Sequence, residues 1–475
     1  MAATGGATPC MKLEIYWDSG WVDESSSLVG ASGEVQLLPP AEGLVATGLG
    51  AGAQAYVTVD NRTGRYSRYK AGSQANTYGI YGKSVRLSGG YVYQGTPEYV
   101  VVFTGRIVDV REDETSGRAT LTCHDMASAY EQAKASTVLH ENVRTDLWIS
   151  EMCSALGITN YDLDRGLAVI PFAWLDDDYP LAEARAAAIA EGGVVFFDSD
   201  GQLRFWNATH WCNATSVATF TTDDYAELEP VTDYVNVVNI VGVEYQPRQV
   251  VQPTVVYQLQ RPLGLPPGES RLVTLKFQLP LETFQGYVLH ATSGGEDVSS
   301  DVSVSPAAPQ YASSWYATFS NSDTRRGVWV TTFEVYGRPV AGRPAEQYVY
   351  DASDGNIPRR RDFRGHIDIQ TEAQATLLAA LLAERLKEPR LRLALKGLYA
   401  NPLLELGDVV TVQGDLTGVD KNALLTHISW QFGGGAYTMD IEVADYTDFY
   451  KYNNYFKVGT SKLGSSGEGI GRLFI

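Results

Sequence analysis

The chain has 475 residues, 44% of them hydrophobic and 20% charged, which is ordinary globular usage and excludes a mainly disordered protein. A chain this long divides into roughly three or four compact units, each with its own core. The formal net charge of −19 excludes a basic surface that tracks nucleic-acid phosphates across the whole protein, although an anionic wall lets DNA pass without holding it.

The four cysteines, Cys10, Cys123, Cys153 and Cys212, show neither paired metal spacing nor a disulfide framework, which points to synthesis in a reducing compartment. No segment reaches the roughly 20 apolar residues of a membrane helix. Residues 1–10, MAATGGATPC, lack the basic start and apolar core of an export signal, so none is expected.

From Met11 onward, short extended runs alternate with Gly, Asn and Asp. VVFTGRIVDV and RATLTCHD, between Phe103 and Asp125, flank a polar turn at Thr115–Gly117 and predict a hairpin. Ala119, Leu121 and Cys123 share one face of its second strand, and Thr120, Thr122 and His124 share the other, so the strand is half buried. RTDLWISEMCSALG predicts a helix with Thr145 as N-cap, apolar Trp148, Met152 and Leu156 at helical spacing, and Gly157 as its stop. A second helix is predicted over YPLAEARAAAIAEGG, with Pro180 at its start. VVFF and QLRFW around Asp200-Gly201 form a further hairpin, closing a mixed α/β unit.

Between about Gln252 and Tyr350 the chain turns to Pro, Ser, Thr, Val and Tyr, with strand alternation in RLVTLKFQ and WVTTFEVYG, and an inserted β-sandwich is expected. Past RRRDFRG, Thr371 and Gln374 form a capping-box pattern ahead of a leucine-rich helix that Pro389 ends. LLTHISWQF and AYTMDIEVAD flank Gly433–Gly435 as a last hairpin, with Tyr437, Met439, Ile441 and Val443 on its buried face. Residues 457–475 are Gly- and Ser-rich and are expected to form a flexible tail. There is also an internal echo: GKSVRL (Gly82–Leu87) precedes a hairpin ending in Asp125, and GDVVTV (Gly407–Val412) precedes one ending in Asp445 at a similar distance.

In their order, LEIYWDSGWVDES, VTVDNRTGRYS, KSVRL, VFTGRIVDV, TLTCHD, FFDSDGQLRFW, LLAALLAERLKEPRLRLAL and NPLLELGDVVTV resemble the tail hub family, the central baseplate or tail-tip proteins of contractile and long non-contractile phages. The resemblance covers most of Met11 to Asp445, with the insertion at about 252–350 as a departure. It implies a mainly β fold with an α+β part, in which two related β-barrel domains form a hub ring. The implied units are a first hub barrel at 11–126, a mixed α/β domain at 127–227, a second barrel built from 228–251 with 362–446, the inserted sandwich at 252–361 and a tail at 447–475.

The resemblance further implies a homotrimer that adapts a six-fold tail tube to a three-fold tip around a DNA ejection channel. Its partners would be distal tail or tube proteins, the C-terminal end of the tape-measure protein, and tip or fibre proteins. Such a subunit is made in the bacterial host cytoplasm and resides in the virion. Three copies would carry three times the charge of one, giving the lumen an acidic character that repels DNA.

Catalytic groupings weigh little against this. Cys123, His124 and Asp125 are adjacent on a strand and point to alternate faces, so they do not converge as a triad. His210 and Cys212 lack a second pair at zinc spacing. Asp198-Ser199-Asp200-Gly201 opens like a calcium loop, but Thr209 stands where the bidentate Glu is required. Asp176, Asp177 and Asp178 suit a helix N-terminus. The Asn-x-Thr triplets at Asn61, Asn207 and Asn213 matter only on a secretory route. HExxH, GxSxG and phosphate-loop motifs are absent from the sequence, so no catalytic residue, metal or cofactor is expected.

The 28 tyrosines and 9 tryptophans exceed the needs of a simple core, and such residues are enriched at interface hot spots. Interface candidates are Tyr446, Phe449, Tyr450, Tyr452, Tyr455 and Phe456 in the terminal stretch, with core packing of some rings as the alternative, and Arg359, Arg360 and Arg361, a basic loop that either contacts an acidic neighbour or, as such loops more often do, is simply solvated. The expected function is structural. The alternative is a tail-associated cell-wall glycan hydrolase or a glycan-binding protein, which needs two opposed carboxylates in a cleft or an aromatic surface for sugars.

Overall fold

The alternating apolar and polar residues of this chain bury one face of nearly every strand. A computed structural model describes residues 8–37, 52–211, 214–233, 237–364 and 368–445. The strands that carry the largest sheet come in two sets. The first is β1 (Leu28–Gln36), β2 (Gly52–Asp60), β3 (Ser84–Tyr93), β4 (Thr96–Asp113) and β5 (Arg118–Asp125). The second is β6 (Glu227–Asp233), β7 (Arg390–Tyr399), β8 (Val409–Gly414), β9 (Val419–Gly433) and β10 (Ala436–Asp445).

Both expected hairpins form, β4 with β5 and β9 with β10. Ala119, Leu121 and Cys123 are buried as the alternation requires, and so are Tyr437, Met439, Ile441 and Val443. The two sets of strands do not make two separately closed barrels. They join in one 13-stranded sheet whose order runs β6-β7-β10-β9-β1-β2-β5-β4-β3 and on to Thr8–Tyr16 and Trp21–Asp23, with β8 beside the first half of β9. One hydrophobic core serves both sets, running from Leu87, Phe103 and Leu121 to Leu395, Leu425 and Ile441. Sharing it keeps apolar faces covered that half a barrel would expose.

The α/β unit contains α1 (Thr145–Leu156) and α2 (Pro180–Ile189), which pack through Trp148, Met152, Leu181 and Ala184. Pro180 opens α2, and Gly157 ends α1 in the left-handed region with φ of 68°. Thr145 is not the N-cap. It is already helical, Arg144 precedes it without a side-chain cap bond, and the Thr145 hydroxyl donates to the Ala168 carbonyl at 3.3 Å. A residue already inside the first turn cannot present its hydroxyl to the helix amides as an N-cap does. Val194–Phe197 pairs with Leu203–Trp206 as expected for the Asp200-Gly201 turn.

Helix α3 (Glu372–Leu386) starts at a complete capping box between Thr371 and Gln374. Its leucines bury against a small sheet in which Ile240–Tyr245 lies between Glu346–Asp351 and Arg360–Phe363. Of the stretch 228–251, assigned from sequence to a second barrel, only the part in β6 joins the large sheet, while Ile240–Tyr245 serves this separate layer.

The insertion is two packed antiparallel sheets. The long strands Leu281–Ser293 and Val328–Gly342 dominate one, and Ser270–Lys276, Ser314–Asn321 and Val302–Gln310 make the other. Leu275, Phe319, Val330 and Phe333 fill the space between them. The chain enters and leaves the sandwich at one neck, where Arg248, Gln249 and Val250 pair with Gly342, Ala341 and Val340, and the Ala312 amide of the sandwich also donates to the Thr137 carbonyl of the α/β unit at 2.9 Å.

Two buried carboxyls tie the α/β unit together. Asp125 accepts from the amides of Ala53 and Ala127, and Glu191 accepts from those of Leu167 and Ala168, each at 2.9 Å from the glutamate oxygen. Burial pushes Asp125 up to about 6 and Glu191 up to about 7. The folded chain thus holds protons that an unfolded carboxyl has released, so these groups make stability decline as the pH rises from about 4 toward 7. Glu191→Gln keeps an acceptor for both amides and removes one titrating proton. Thermal melts at about pH 5 and about pH 7.5 should show a smaller loss of Tm on alkalinisation in the variant than in the parent. An unchanged difference would mean that Glu191 does not set this pH dependence.

Candidate functional site

The two sets of strands are copies of one unit. Within the large sheet the first runs β1-β2-β5-β4-β3 and the second β6-β7-β10-β9-β8, the same order with each strand replaced by its counterpart. The match extends to irregularities. In β4 against β5 the register shifts between Ile107 and Asp109, and in β9 against β10 it shifts between Leu425 and His427. On both strands the pairing resumes with Asp109 and His427 respectively, so Val108 and Thr426 are the same bulged residue.

The glycines of the sequence echo explain how each unit starts its third strand. Gly82 has φ of 76° and Gly407 has φ of 83°, a region where only glycine sits without strain. The Gly82 amide donates to the Ile107 carbonyl at 2.8 Å, and Ile107 donates back to Lys83 at 3.0 Å. The Gly407 amide donates to Leu425 at 2.9 Å, and Leu425 donates back to Asp408 at 2.8 Å. Shared strand order, bulge and turn bonding identify a duplicated unit at a level that the sequence echo only suggested.

The units meet along β9 and β1. After β8 ends, the second half of β9 turns the same side to β1, with Ile428 opposite Val35, Trp430 opposite Gly33 and Phe432 opposite Ala31. The Leu37 amide adds a bond to the carbonyl of the bulged Thr426 at 2.8 Å. Side chains lock the joint on its far side, where Tyr437 of β10 packs against Tyr91 of β3 with ring centres 6.2 Å apart. The Tyr91 hydroxyl donates to the Ala400 carbonyl at 2.7 Å. The β9–β10 hairpin thereby reaches both β1 and β3, covering the open side of the first unit. Beneath it lies a cavity of about 260 Å³ lined in part by Phe103, Trp206, Trp430, Tyr437 and Met439.

Two edges matching this seam have no partner strand among the described residues. On β4 the pairing with β3 ends at Arg106, and beyond the Lys83–Ile107 bond the side corresponding to the β1-binding side of β9 pairs with no strand among the described residues. On β6, which corresponds to β1, the side away from β7 is equally unpaired among the described residues. Val108 and Val231, one on each edge, are 39% and 42% exposed. Unpaired edges of this length are ready templates for another chain.

The other residues singled out from sequence fall elsewhere. Cys123 is buried and its thiol is pushed above the ordinary range by burial, while Asp125 faces inward to the Ala53 and Ala127 amides. His210 bonds Asp164 at 2.8 Å and stacks on Trp206, and Cys212 lies outside the described residues. Asp198 organises its hairpin turn, accepting from the amides of Asp200 and Gln202 and from Arg204. The Arg359 amide bonds Asn239, Arg360 reaches Asp362 and Gln347, and Arg361 lies over the Phe363 ring. Tyr446, Phe449, Tyr450, Tyr452, Tyr455 and Phe456 lie outside the described residues.

Sequence reasoning missed a close carboxyl pair, Glu183 and Asp368. Burial raises both, and the nearby Arg248 guanidinium opposes the rise. Asp368 is 2% exposed, while Glu183 is partly exposed.

Gly33 gives the seam a direct test. A Cβ there would run into the indole ring of Trp430. Gly33→Val should force Trp430 off the joint at a cost of about 1–3 kcal/mol, read as a lower urea midpoint, whereas Gly52→Val, with open space around it, should cost little. Equal effects would contradict the close approach.

No protein-family model matches the chain, and no curated protein does. Solved structures do. A tail protein from Neisseria meningitidis MC58 superposes with a TM-score of 0.51 at 10% identity, covering 92% of this chain and 97% of that one. The 43 kDa tail protein of prophage MuSo2 from Shewanella oneidensis aligns at 10% identity over 92% of this chain and all of its own length, with a TM-score of 0.48. A type VI secretion component of E. coli, described as similar to T4 tail proteins gp27 and gp5, aligns with a TM-score of 0.41 at 10% identity over 93% of this chain and 78% of its own. Over 92% of its length this chain shares the fold of a tail protein, in keeping with the resemblance to phage tail proteins carried by its sequence motifs.

Proposed function

We propose that the chain is a structural hub subunit in the tail of a phage or phage-like particle, three copies of which close a ring around the channel through which DNA leaves. The observation that carries this is the duplicated unit with one seam made and one seam's worth of edges unmade. A chain with two copies of a unit, joined head to tail inside the molecule, presents at its two free ends the same complementary edges. Head-to-tail contacts that repeat around an axis close into a ring. Three chains then offer six nearly equivalent units to a six-fold tube above and three chains to a three-fold tip below. The acidic balance of the chain suits a lumen that DNA must traverse without sticking.

In this role the chain needs no catalytic group. Its neighbours are the tail tube, the end of the tape-measure protein, and tip or fibre proteins. The aromatic stretch from Tyr446 to Phe456 is proposed to pack on one of them.

Native mass spectrometry and electron microscopy of the full chain test the reading. The expected species has three times the 51.8 kDa of one chain and a three-fold ring outline with a central opening. A protein that stays monomeric in every salt condition and inside purified particles would refute it. Removing residues 446–475 should leave the ring intact and abolish its attachment to the rest of the tail tip. Normal attachment would exclude the terminal aromatics.

A further inference from the structure

The two kinds of seam in such a ring are not chemically alike, although they share one geometry. We propose that the seam between copies runs along β4 of one chain and β6 of the next, in the register of β9 on β1, and that its like-signed charges make closure depend on ionic strength. This rests on the ring reading above and names the surface and the condition by which it closes.

The register follows from the duplication. Asp109 stands where His427 stands, because pairing resumes at each after the same bulge. Following β4 onward, Val110 takes the place of Ile428, Glu112 that of Trp430 and Asp113 that of Gln431. On the other edge, Ser32 is opposite Tyr56, which is opposite Thr122; Glu229 is opposite Ala394, which is opposite Glu442. Thr122 and Glu442 are the residues paired with Asp109 and His427, so Glu229 occupies the position of Ser32. Pro230 then takes that of Gly33, and Val231 that of Glu34. Laying β4 on β6 as β9 lies on β1 sets Val110 against Thr232, Arg111 against Val231, Glu112 against Pro230 and Asp113 against Glu229.

These residues differ from their counterparts in a consistent direction. Within the chain, neutral Gln431 faces Ser32, and Trp430 covers Gly33. Between copies, Asp113 would face Glu229, a like-charged pair directly across a ladder, which opposes pairing. Pro230 brings no amide donor and is tolerated in β6 because an edge strand can turn that side away from its ladder. Asp109, Glu112 and Glu114 add to the acidic character of the β4 edge, partly offset by Arg111. On β6, Glu227 and Glu229 share Lys396 at 3.5 and 3.0 Å. The internal seam therefore forms with the fold, and the external one is held back until salt or a neighbouring tail protein screens the carboxylates.

Sedimentation equilibrium of the full chain from about 0.05 to about 0.5 M NaCl tests this. Association should tighten with salt in the parent. Glu229→Lys should tighten it about fivefold at low salt, by turning the facing pair into an attractive one. Asp113→Asn, which keeps an oxygen for the Thr115 and Ser116 amides, should also tighten assembly by removing the repulsion, and in that background Glu229→Lys should gain nothing further. Val231→Glu, facing Arg111 in the same register, should tighten assembly independently. Circular dichroism and melting confirm that each variant is folded. Trimers indifferent to salt and to all three substitutions, or a Glu229→Lys gain of the same size with Asp113→Asn as the background, would overturn this seam and leave the ring standing. If no larger species forms from any variant at any salt, the ring itself fails.

Discussion

The pairing of β9 with β1 is the contact on which the architecture depends. An edge strand carries unsatisfied amides and carbonyls, and a unit whose sheet does not close leaves such edges exposed. Residues 28–36 and 427–433 lie almost at opposite ends of the chain, so satisfying them against each other brings everything between into a fixed arrangement. The α/β unit, the helix layer behind α3 and the sandwich are consequently outgrowths of one continuous sheet rather than beads on a string.

That pairing also decides where polar groups are kept from water. The β9–β10 hairpin brings Trp430, Tyr437 and Phe432 over the first unit, and Gly33 in β1 leaves room for the Trp430 ring while Gly89 in β3 leaves room for Tyr437. On the corresponding hairpin of the first unit, β4–β5, the tip from Asp113 to Gly117 is polar. Divergence of the two repeated hairpins accounts for this: one is a packed joint within the chain, while the other stays compatible with water. A charged, exposed edge is also the ordinary means by which β proteins avoid uncontrolled strand addition.

Local features were legible in the sequence, because they depend on a few neighbouring residues. The Thr371–Gln374 capping box, Pro180 at a helix start, Gly157 at a helix end and the hairpins around Thr115–Gly117, Asp200-Gly201 and Gly433–Gly435 all form. Thr145 misled, since it already lies inside the first turn and its hydroxyl bonds a carbonyl well along the chain, something no local pattern encodes. The echo between Gly82 and Gly407 was visible because both positions need a positive φ, but the merging of the units was not. LVGASGEVQ in β1 is glycine-rich with little alternation, and its partner β9 lies near the other end of the chain. Likewise VNIVGVEY reads as a buried strand without saying which of two sheets it joins, and α3 settles the matter by covering Ile240–Tyr245.

The sandwich meets the body at the adjacent strand pair Arg248–Val250 and Val340–Gly342, whose ends therefore lie only about 5 Å apart, the spacing of neighbouring strands. Everything beyond that neck is a detour of the chain that leaves and returns at one point, with its own core of Leu275, Phe319, Val330 and Phe333 and a backbone bond from Ala312 to Thr137 of the α/β unit. A short loop could bridge the gap without moving β9 or β1, so this module is free to be exchanged, enlarged or lost over generations while the large sheet keeps its shape.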